Sequence, residues 1–512
     1  MIISLSVLVI TIIVSGTYAL YKAQLSKNIG VNTTTHGLAY YINYVKGTDI
    51  TAATLNPSTS YEGGASSDIE FWKKDDSYDI YGKIELTVNT IGTNLSNSPA
   101  LKYAVVNNGN VLKEGSLKGT TSGSKVTILK NLYLEQTKQI YTVYVWLDNS
   151  EELGNISNES LSISVDCTAS LQKEPTAADT IISLYTSAAK VTATNNSITY
   201  NTAPSVSLMN DRLGGTTTDL DGGNIRYYGA NPNNYIYFNC SDYSNQTSST
   251  CETWRIIGVF NGKLKLIRGS QIGTYSWDNK NTSTGEESNS GKNDWTTARL
   301  MKLLNPVDYY INDNNDKDSE GNYLGYSLYY NSTSGKCYSG QNNATVDCDF
   351  TSTGIKNDET RNMIAETTYN LGGWNTFTVY PNEIYEYERG TTVYTGRPPT
   401  WPGKIALAYP SDYGYAADLN QCKDKTLYYY DNSTCTSNNW MKAILGTSSH
   451  GWLLTPYSGH SYYAWHVRSG GNVYSYLAYG AYGAVPVLSL SSELGIESGG
   501  DGSSSNPYKL SA

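Results

Sequence analysis

The stretch Glu252-Thr253-Trp254-Arg255-Ile256-Ile257-Gly258-Val259-Phe260, then Asn261-Gly262, then Lys263-Leu264-Lys265-Leu266-Ile267-Arg268, decides the fold of the larger part of the chain. Both arms are rich in aliphatic and β-branched residues. The pair between them, Asn-Gly, is the one that most readily adopts the left-handed conformers of a type I′ turn, so the stretch predicts a tight antiparallel hairpin. Further along, Asp294 to Asn305, stopped by Pro306, and Asp358 to Leu371, stopped by Gly372-Gly373, predict two helices, the first with Trp295, Leu300, Leu303 and Leu304 inward. Long polar loops run from Ile272 to Lys292 and from Pro306 to Phe350. The end reverts to strand in Trp452-Leu453-Leu454-Thr455-Pro456 and Ala484-Val485-Pro486-Val487-Leu488-Ser489-Leu490. Few helices, many loops and a last strand that re-enters the core predict one α+β domain over residues 206–512.

Upstream the grammar is different. Gly82-Lys83-Ile84-Glu85-Leu86-Thr87-Val88, Ile140-Tyr141-Thr142-Val143-Tyr144-Val145-Trp146-Leu147 and Ser160-Leu161-Ser162-Ile163-Ser164-Val165 alternate apolar with polar, with Asn107-Asn108-Gly109-Asn110 and Gly119-Thr120-Thr121-Ser122-Gly123 as turns. Period-two patterning at this spacing predicts a β-sandwich over residues 22–170. Lys173-Glu174-Pro175 interrupts it, Ala178 to Ala189 reads as an amphipathic helix, and residues 171–205 read as a connector. The fold class expected for the whole chain is mainly β with α+β character.

Composition narrows the function. The chain has 512 residues, of which 46 are Tyr and only 5 Phe; 16% are charged and the formal net charge is −10. With no basic stripe, nothing supplies the electrostatic footprint of a nucleic-acid-binding surface, so no nucleic acid is expected as a partner. Residues Met1 to Tyr21 carry no charge, and the apolar run Ile2 to Val14 is followed by Ser15-Gly16-Thr17-Tyr18-Ala19. That outline predicts export by an N-terminal hydrophobic segment, either a cleaved leader or a retained helix, and an extracellular or cell-surface location. Seven cysteines agree with export: six fall in close pairs, Cys240/Cys251, Cys337/Cys348 and Cys422/Cys435. Nearest-neighbour disulfides are the simplest of the pairings open to six cysteines, and Cys167 is left as a buried thiol.

Two resemblances follow from these residues. The leader's Ser15-Gly16-Thr17-Tyr18-Ala19, together with a β domain ending in Tyr141-Thr142-Val143-Tyr144-Val145-Trp146-Leu147-Asp148, resembles the camelysin-like and TasA-like surface and biofilm-fibre proteins of Gram-positive bacteria. That resemblance implies a jelly-roll-like sandwich able to act as stalk or filament subunit, self-assembling through its N-terminal region by a donor strand near Ala23 to Thr35. The segments Glu252 to Phe260, Asn293-Asp294-Trp295, Leu300 to Asn305, Tyr387-Glu388-Arg389-Gly390, Tyr409 to Tyr415, Trp452 to Pro456 and Gly483 to Leu488 resemble a lectin-like domain of exported Firmicutes proteins, within the wider C-type lectin and formylglycine-generating-enzyme fold. The resemblance implies a C-type-lectin-like ligand-binding domain; the fold also includes the variable proteins written by diversity-generating retroelements.

The candidate binding face lies near the end of the chain. Between Ala443 and Ser492 the only formal charge is Arg468, and the 26 residues from Tyr457 to Tyr482 hold seven tyrosines. Tyr with Ser and Gly is the composition of a paratope, because Tyr offers a rigid amphipathic surface at little entropic cost. The candidate ligand-binding residues are Tyr457, His460, Tyr462, Tyr463, Trp465, His466, Arg468, Tyr474, Tyr476, Tyr479 and Tyr482. A protein or a glycan is the expected ligand, and a Tyr/Gly-rich hairpin packed into the sheet is the competing reading. In retroelement-diversified lectin folds the variable residues sit just before the closing strand, the position of this window.

His450, His460 and His466 raise a metal hypothesis, but their spacing matches no common ligand pattern. Asp316, Asp318 and Glu320 before Gly321 resemble the start of a calcium loop without its twelfth-position glutamate, so calcium is the one cofactor candidate, against a solvated acidic loop. The formylglycine-generating-enzyme resemblance would imply a reactive cysteine pair near the C-terminal end, yet no Cys follows Cys435. No nucleophile elbow or H-E-x-x-H helix is present either, so no enzymatic activity is expected.

Overall fold

The computed structural model describes residues 23–24, 41–51, 55–151, 153, 155–156, 158–213, 223–278, 290–310, 324–340 and 344–511. The chain divides into two compact units, Met1–Glu174 and Pro175–Ala512. The fold is mainly β, as expected, with few and short helices.

The first unit is a β-sandwich. One sheet orders its strands Ala23–Gln24, Leu161–Ser170, Tyr81–Ile91 and Lys125–Tyr133; the other orders Ile42–Val45, Ala65–Lys73, Ile140–Asp148, Leu101–Asn107 and Asn110–Ser116. Period-two alternation sets which face is inside. In Tyr81–Ile91 the buried positions include Ile84, Leu86 and Val88, and in Ala65–Lys73 they include Ile69 and Phe71. These side chains meet Val143, Val145, Ile163 and Val165 in one apolar core. Cys167 lies in that core as a free thiol, and burial pushes its pKa up.

The second unit begins earlier than its sequence suggests. Residues beyond Pro175, expected to belong to a connector, form a helix, Ala177–Ser187, whose capping box joins Thr176 and Asp179. Its Ala177, Ala178, Ile181 and Tyr185 enter the unit's main core. The hairpin Val191–Asn195 with Ile198–Ala203 then starts the largest sheet. An amphipathic helix with a buried stripe is not a linker, because that stripe needs a core to cover it.

That sheet runs through Leu208–Asn210, Ile225–Tyr227, Glu252–Phe260, Lys263–Arg268, Val487–Ser489 and Ile405–Ala406. The central hairpin is as predicted, with Asn261 at φ 49° and Gly262 at φ 71°. The register shifts between Ile256 and Gly258, where a Cβ on Gly258 would sit 2.1 Å from the Ile225 carbonyl oxygen. The closing strand Val487–Ser489 pairs with Lys265 to Ile267, so the C-terminal part of the chain does re-enter the core.

Both predicted helices are shorter than expected. Only Arg299–Leu304 is helical in the first, because the Asp294 carboxylate accepts from the Thr296 N–H at 3.1 Å and its hydroxyl at 2.6 Å, holding a turn instead. The second is confined to Asp358–Met363, capped by the Asn357 side chain. Its expected continuation is a strand, Thr367–Asn370, paired with Thr400–Gly403. β-branched Thr367 and Thr368 suit that strand better than a helix.

Three disulfides close the expected pairs Cys240–Cys251, Cys337–Cys348 and Cys422–Cys435. Their presence fits an oxidising environment. Among the described residues no helix is long and apolar enough to cross a membrane. The N-terminal hydrophobic segment and the calcium candidate Asp316, Asp318 and Glu320 lie outside the described residues, as does all of the expected donor strand except Ala23–Gln24, which pairs with Thr168 and Ala169 of its own unit.

Candidate functional site

The Tyr-rich window folds as the end of a second sheet in the C-terminal unit, ordered Thr274–Ser276, Ala481–Gly483, Gly451–Pro456, Tyr463–Val467 and Val473–Leu477. The strands Tyr463–Val467 and Val473–Leu477 form a hairpin in which His466 faces Tyr474 and Ala464 faces Tyr476. Its turn is closed by the Gly471 N–H donating to the Arg468 carbonyl at 2.8 Å, with Gly471 at φ 104°. Gly480 closes the next turn on the Leu477 carbonyl at 2.9 Å. The glycines thus punctuate the window as turns.

Before the hairpin, the loop Tyr457 to Tyr462 crosses over Asn293. The buried Asn293 amide donates to the carbonyls of Tyr457 at 3.0 Å, His460 at 2.7 Å and Tyr463 at 3.0 Å, while its backbone N–H donates to Ser461 at 2.8 Å. Arg397 adds a bond from its guanidinium to the Ser461 carbonyl at 3.2 Å. One side chain therefore fixes both ends and the middle of the loop. Asn293 belongs to the Asn293-Asp294-Trp295 motif, but its role as the loop's support has no signal in the sequence, since its partners are backbone carbonyls about 170 residues away.

The aromatic rings form a chain of contacts rather than isolated anchors. Tyr457 stacks on His460 with centroids 5.8 Å apart, His460 meets Tyr462 at 5.6 Å and Tyr463 at 5.1 Å, and Tyr457 meets Trp465 at 5.4 Å. Phe377, from a loop outside the window, stacks on Tyr474 at 4.4 Å and abuts Trp465 at 5.5 Å. Tyr428 extends this row, touching Tyr474 on one side and Tyr429 on the other. A second group joins His466, Tyr482, Tyr476, Trp452 and His450, with His466 and Tyr482 centroids 4.8 Å apart. The guanidinium of Arg468 lies 3.8 Å from the centre of the Tyr474 ring.

The eleven candidates do not share one role. Tyr476 and His460 are exposed; Tyr457, Tyr462, Tyr463, Arg468, Tyr474, Tyr479 and Tyr482 are half-buried. Trp465 and His466 are each 1% exposed, so they are corrected from contact residues to the floor beneath the surface. Burial follows from their neighbours: Trp465 belongs to a core with Val467, Val473 and Leu453, and His466 packs on Trp452. Tyr479 makes no ring contact among the described residues and is tied in through its carbonyl, which accepts from Ser276 Oγ at 2.9 Å.

The face is uncharged apart from Arg468. Burial raises the pKa values of Tyr457 and Tyr463 and pushes Tyr482 up to about 12, so these phenols stay neutral. Burial, then His450 and Arg468, holds His466 well below the usual imidazole range, and burial followed by Arg468 lowers His450. The His450 Nδ1 accepts the Ser469 N–H at 2.9 Å, which places its ring proton on Nε2. His450 and His466 lie 5.6 Å apart, centre to centre, whereas His460 sits in the other ring group. Among the described residues no three His, Cys, Asp or Glu side chains converge as a metal site.

No family model matches the chain, and no curated protein matches it. A solved structure of an HCR/D mutant aligns at 12% identity over 51% of this chain and 76% of that chain, with a TM-score of 0.14. At that TM-score the likeness carries no argument about fold or function.

Proposed function

We propose that this is an exported bacterial surface protein, an adhesin or receptor, whose C-terminal unit has a lectin-like fold and binds a protein or glycan ligand through its aromatic face. The observation that carries the reading is the contrast between the rim, exposed His460 and Tyr476 with half-buried Tyr462, and the floor of buried Trp465 and His466 with half-buried Phe377, to which the rim is joined. Rings anchored by other rings lose little entropy on binding, and hydroxyls at their tips supply hydrogen bonds at the rim. The supported loop Tyr457 to Tyr463 keeps that rim pre-organised. The position of the window before the closing strand supports a retroelement-diversified receptor; a near-identical DNA repeat of this stretch, differing mainly at adenines and adjacent to a reverse transcriptase gene, is the expected genomic sign.

The test uses a panel of immobilised glycans and extracellular proteins. Tyr462→Ala with Tyr476→Ala is expected to abolish any binding seen with the parent while leaving the thermal transition in place. Trp465→Ala is expected to cost about 3–5 kcal/mol of stability, as loss of a buried tryptophan does. If the double Tyr variant binds as the parent does, the reading is wrong.

A second reading, a subunit of an extracellular filament, is favoured by one feature of the sandwich. Its strand Asn110–Ser116 is a sheet edge carrying Val111 and Leu112 at 43% and 42% exposure. Such an edge is a template for strand addition. Electron microscopy of the chain with and without residues 1–35 tests it: filaments lost on truncation support assembly through the N-terminal region, and single particles in both samples overturn it.

A further inference from the structure

We propose that the C-terminal unit carries an intramolecular amide crosslink, formed between the Lys265 Nζ and the Asp412 side-chain carbonyl carbon. Lys265 stands on the hairpin strand Lys263–Arg268, and Asp412 lies in the first turn of the short helix Pro410–Tyr415; they are 5% and 2% exposed. The Lys265 amine touches Asp412 Oδ2 directly. Aromatic rings enclose the pair, with the centres of Tyr409 and Phe260 at 4.5 and 5.0 Å from Nζ. Water is thereby kept from an electrophile and a nucleophile already in contact.

The remaining contacts suit acyl transfer. The Arg226 Nη1 donates to Asp412 Oδ1 at 3.1 Å, and the Tyr409 N–H donates to Oδ2 at 3.0 Å, so the carboxylate is held in one orientation with a cation on the oxygen that takes up negative charge during attack. Glu388 is fully buried; its carboxylate accepts from the N–H and hydroxyl of Ser411, the residue before Asp412, at 2.9 and 2.5 Å, and from Arg389 Nη1 at 3.2 Å. Burial pushes Glu388 up to about 7. Burial lowers the pKa of Lys265, while against burial Lys265 and then Arg226 hold Asp412 below the usual carboxylate range.

The step balances without a co-reactant. A proton moves from the Lys265 ammonium to Asp412 Oδ2, leaving a neutral amine and a carboxylic acid. The nitrogen lone pair then forms the N–C bond, and Oδ1 carries the charge against Arg226. A second proton passes from nitrogen to Oδ2, the C–O bond breaks and one water leaves; nothing is oxidised or reduced. In water such a condensation is unfavourable, but held groups in contact have effective molarities on the order of 10⁵ M or more. The neutral amide also removes the desolvation cost of a buried ion pair.

The test is mass spectrometry of the purified full chain after reduction, alkylation and trypsin. Amidated Lys265 resists trypsin, so the expected product joins Leu264–Arg268 to the peptide of residues 405–423 and is lighter than their sum by one water. Asp412→Asn is expected to give the same product by loss of ammonia from that variant, and Lys265→Arg is expected to give none. Recovery of residues 405–423 from folded wild-type protein as a linear peptide alone overturns the proposal, whether or not any variant folds.

Discussion

The two units place their polarity in opposite ways. In the sandwich, aliphatic side chains fill the centre and ion pairs such as Lys102 with Asp148 and Lys46 with Asp166 sit at partly exposed positions. Its buried cation among the described residues, Lys73, reaches out to Asp76, whose side chain is 71% exposed. The second unit inverts this arrangement. Arg226, Asp211, Asp412, Lys265 and Glu388 are inside, and aromatic rings form part of the surface. A sandwich with period-two strands needs only burial to choose its faces, whereas a unit of short strands and long loops uses directional charge contacts to fix segments far apart in sequence. Each unit is therefore vulnerable at a different place.

The largest effect is expected from Asp211→Ala. Arg226 Nε donates to Asp211 Oδ2, and the same carboxylate accepts from the N–H and side-chain amide of Asn224 at 2.8 and 3.0 Å. Removing it takes a directly bonded counter-charge from a guanidinium that is 1% exposed, and the expected loss is about 3–5 kcal/mol. Scanning calorimetry should show the second unit's transition falling while that of the sandwich stays. Equal movement of both would mean that the contrast is not one of stability.

Next in size is a pH effect confined to the second unit. Glu388 has a native pKa of about 7 against a reference of 4.5, so between these values the native state keeps a proton that the unfolded chain has released. Stability from this group is therefore fully present below about pH 4.5 and is lost as pH rises through 7, a change of about 3 kcal/mol by linkage. His450 and His466 work in the opposite sense, because their lowered pKa values favour folding as pH rises toward the reference value of 6.5. The difference between parent and Glu388→Gln isolates the carboxyl. It should show the parent losing stability relative to the variant between pH 5 and pH 8, and a flat difference would refute the assignment.

The same contrast explains which features are legible in the amino-acid sequence. The hairpin Glu252 to Arg268 is legible because Asn261-Gly262 and its flanking runs are local, and the sandwich strands are legible because alternation is local too. The ion network is not, since Arg226 meets Asp412 across 186 positions and no period announces such a pair. Thr367–Asn370 reads as helix in isolation because its partner strand Thr400–Gly403 lies some thirty residues on. In the candidate site, composition locates the Tyr-rich window, but it cannot separate buried Trp465 and His466 from exposed Tyr476, nor find Phe377 and Tyr428, which stand far in sequence from the Tyr474 ring they touch.

A smaller effect probes the support of the binding face. Asn293→Ala removes the three carbonyl bonds that hold Tyr457, His460 and Tyr463, and the cost expected is about 1–3 kcal/mol because buried acceptors lose their donor. Amide exchange should quicken in the loop Tyr457 to Tyr463 and remain slow in the hairpin Glu252 to Arg268. Protection unchanged in the loop would show that Arg397 suffices to hold it.

The smallest change is expected at the rim, and it is the most informative for function. Tyr476 is 41% exposed, and its ring rests on Tyr482 at 5.3 Å and lies 6.4 Å from His466. Truncation to Ala uncovers part of Tyr482 without opening the core, so stability should change by no more than about 0.5 kcal/mol. In the sandwich, exposed Ile140, at 44%, offers a control of matched exposure. If both substitutions are silent in thermal melts but only Tyr476→Ala weakens binding, the aromatic surface is a site and not merely a patch of exposed apolar area. If Tyr476→Ala instead lowers the transition as Trp465→Ala is expected to do, the ring is structural, and the inversion of polarity in the second unit serves folding alone.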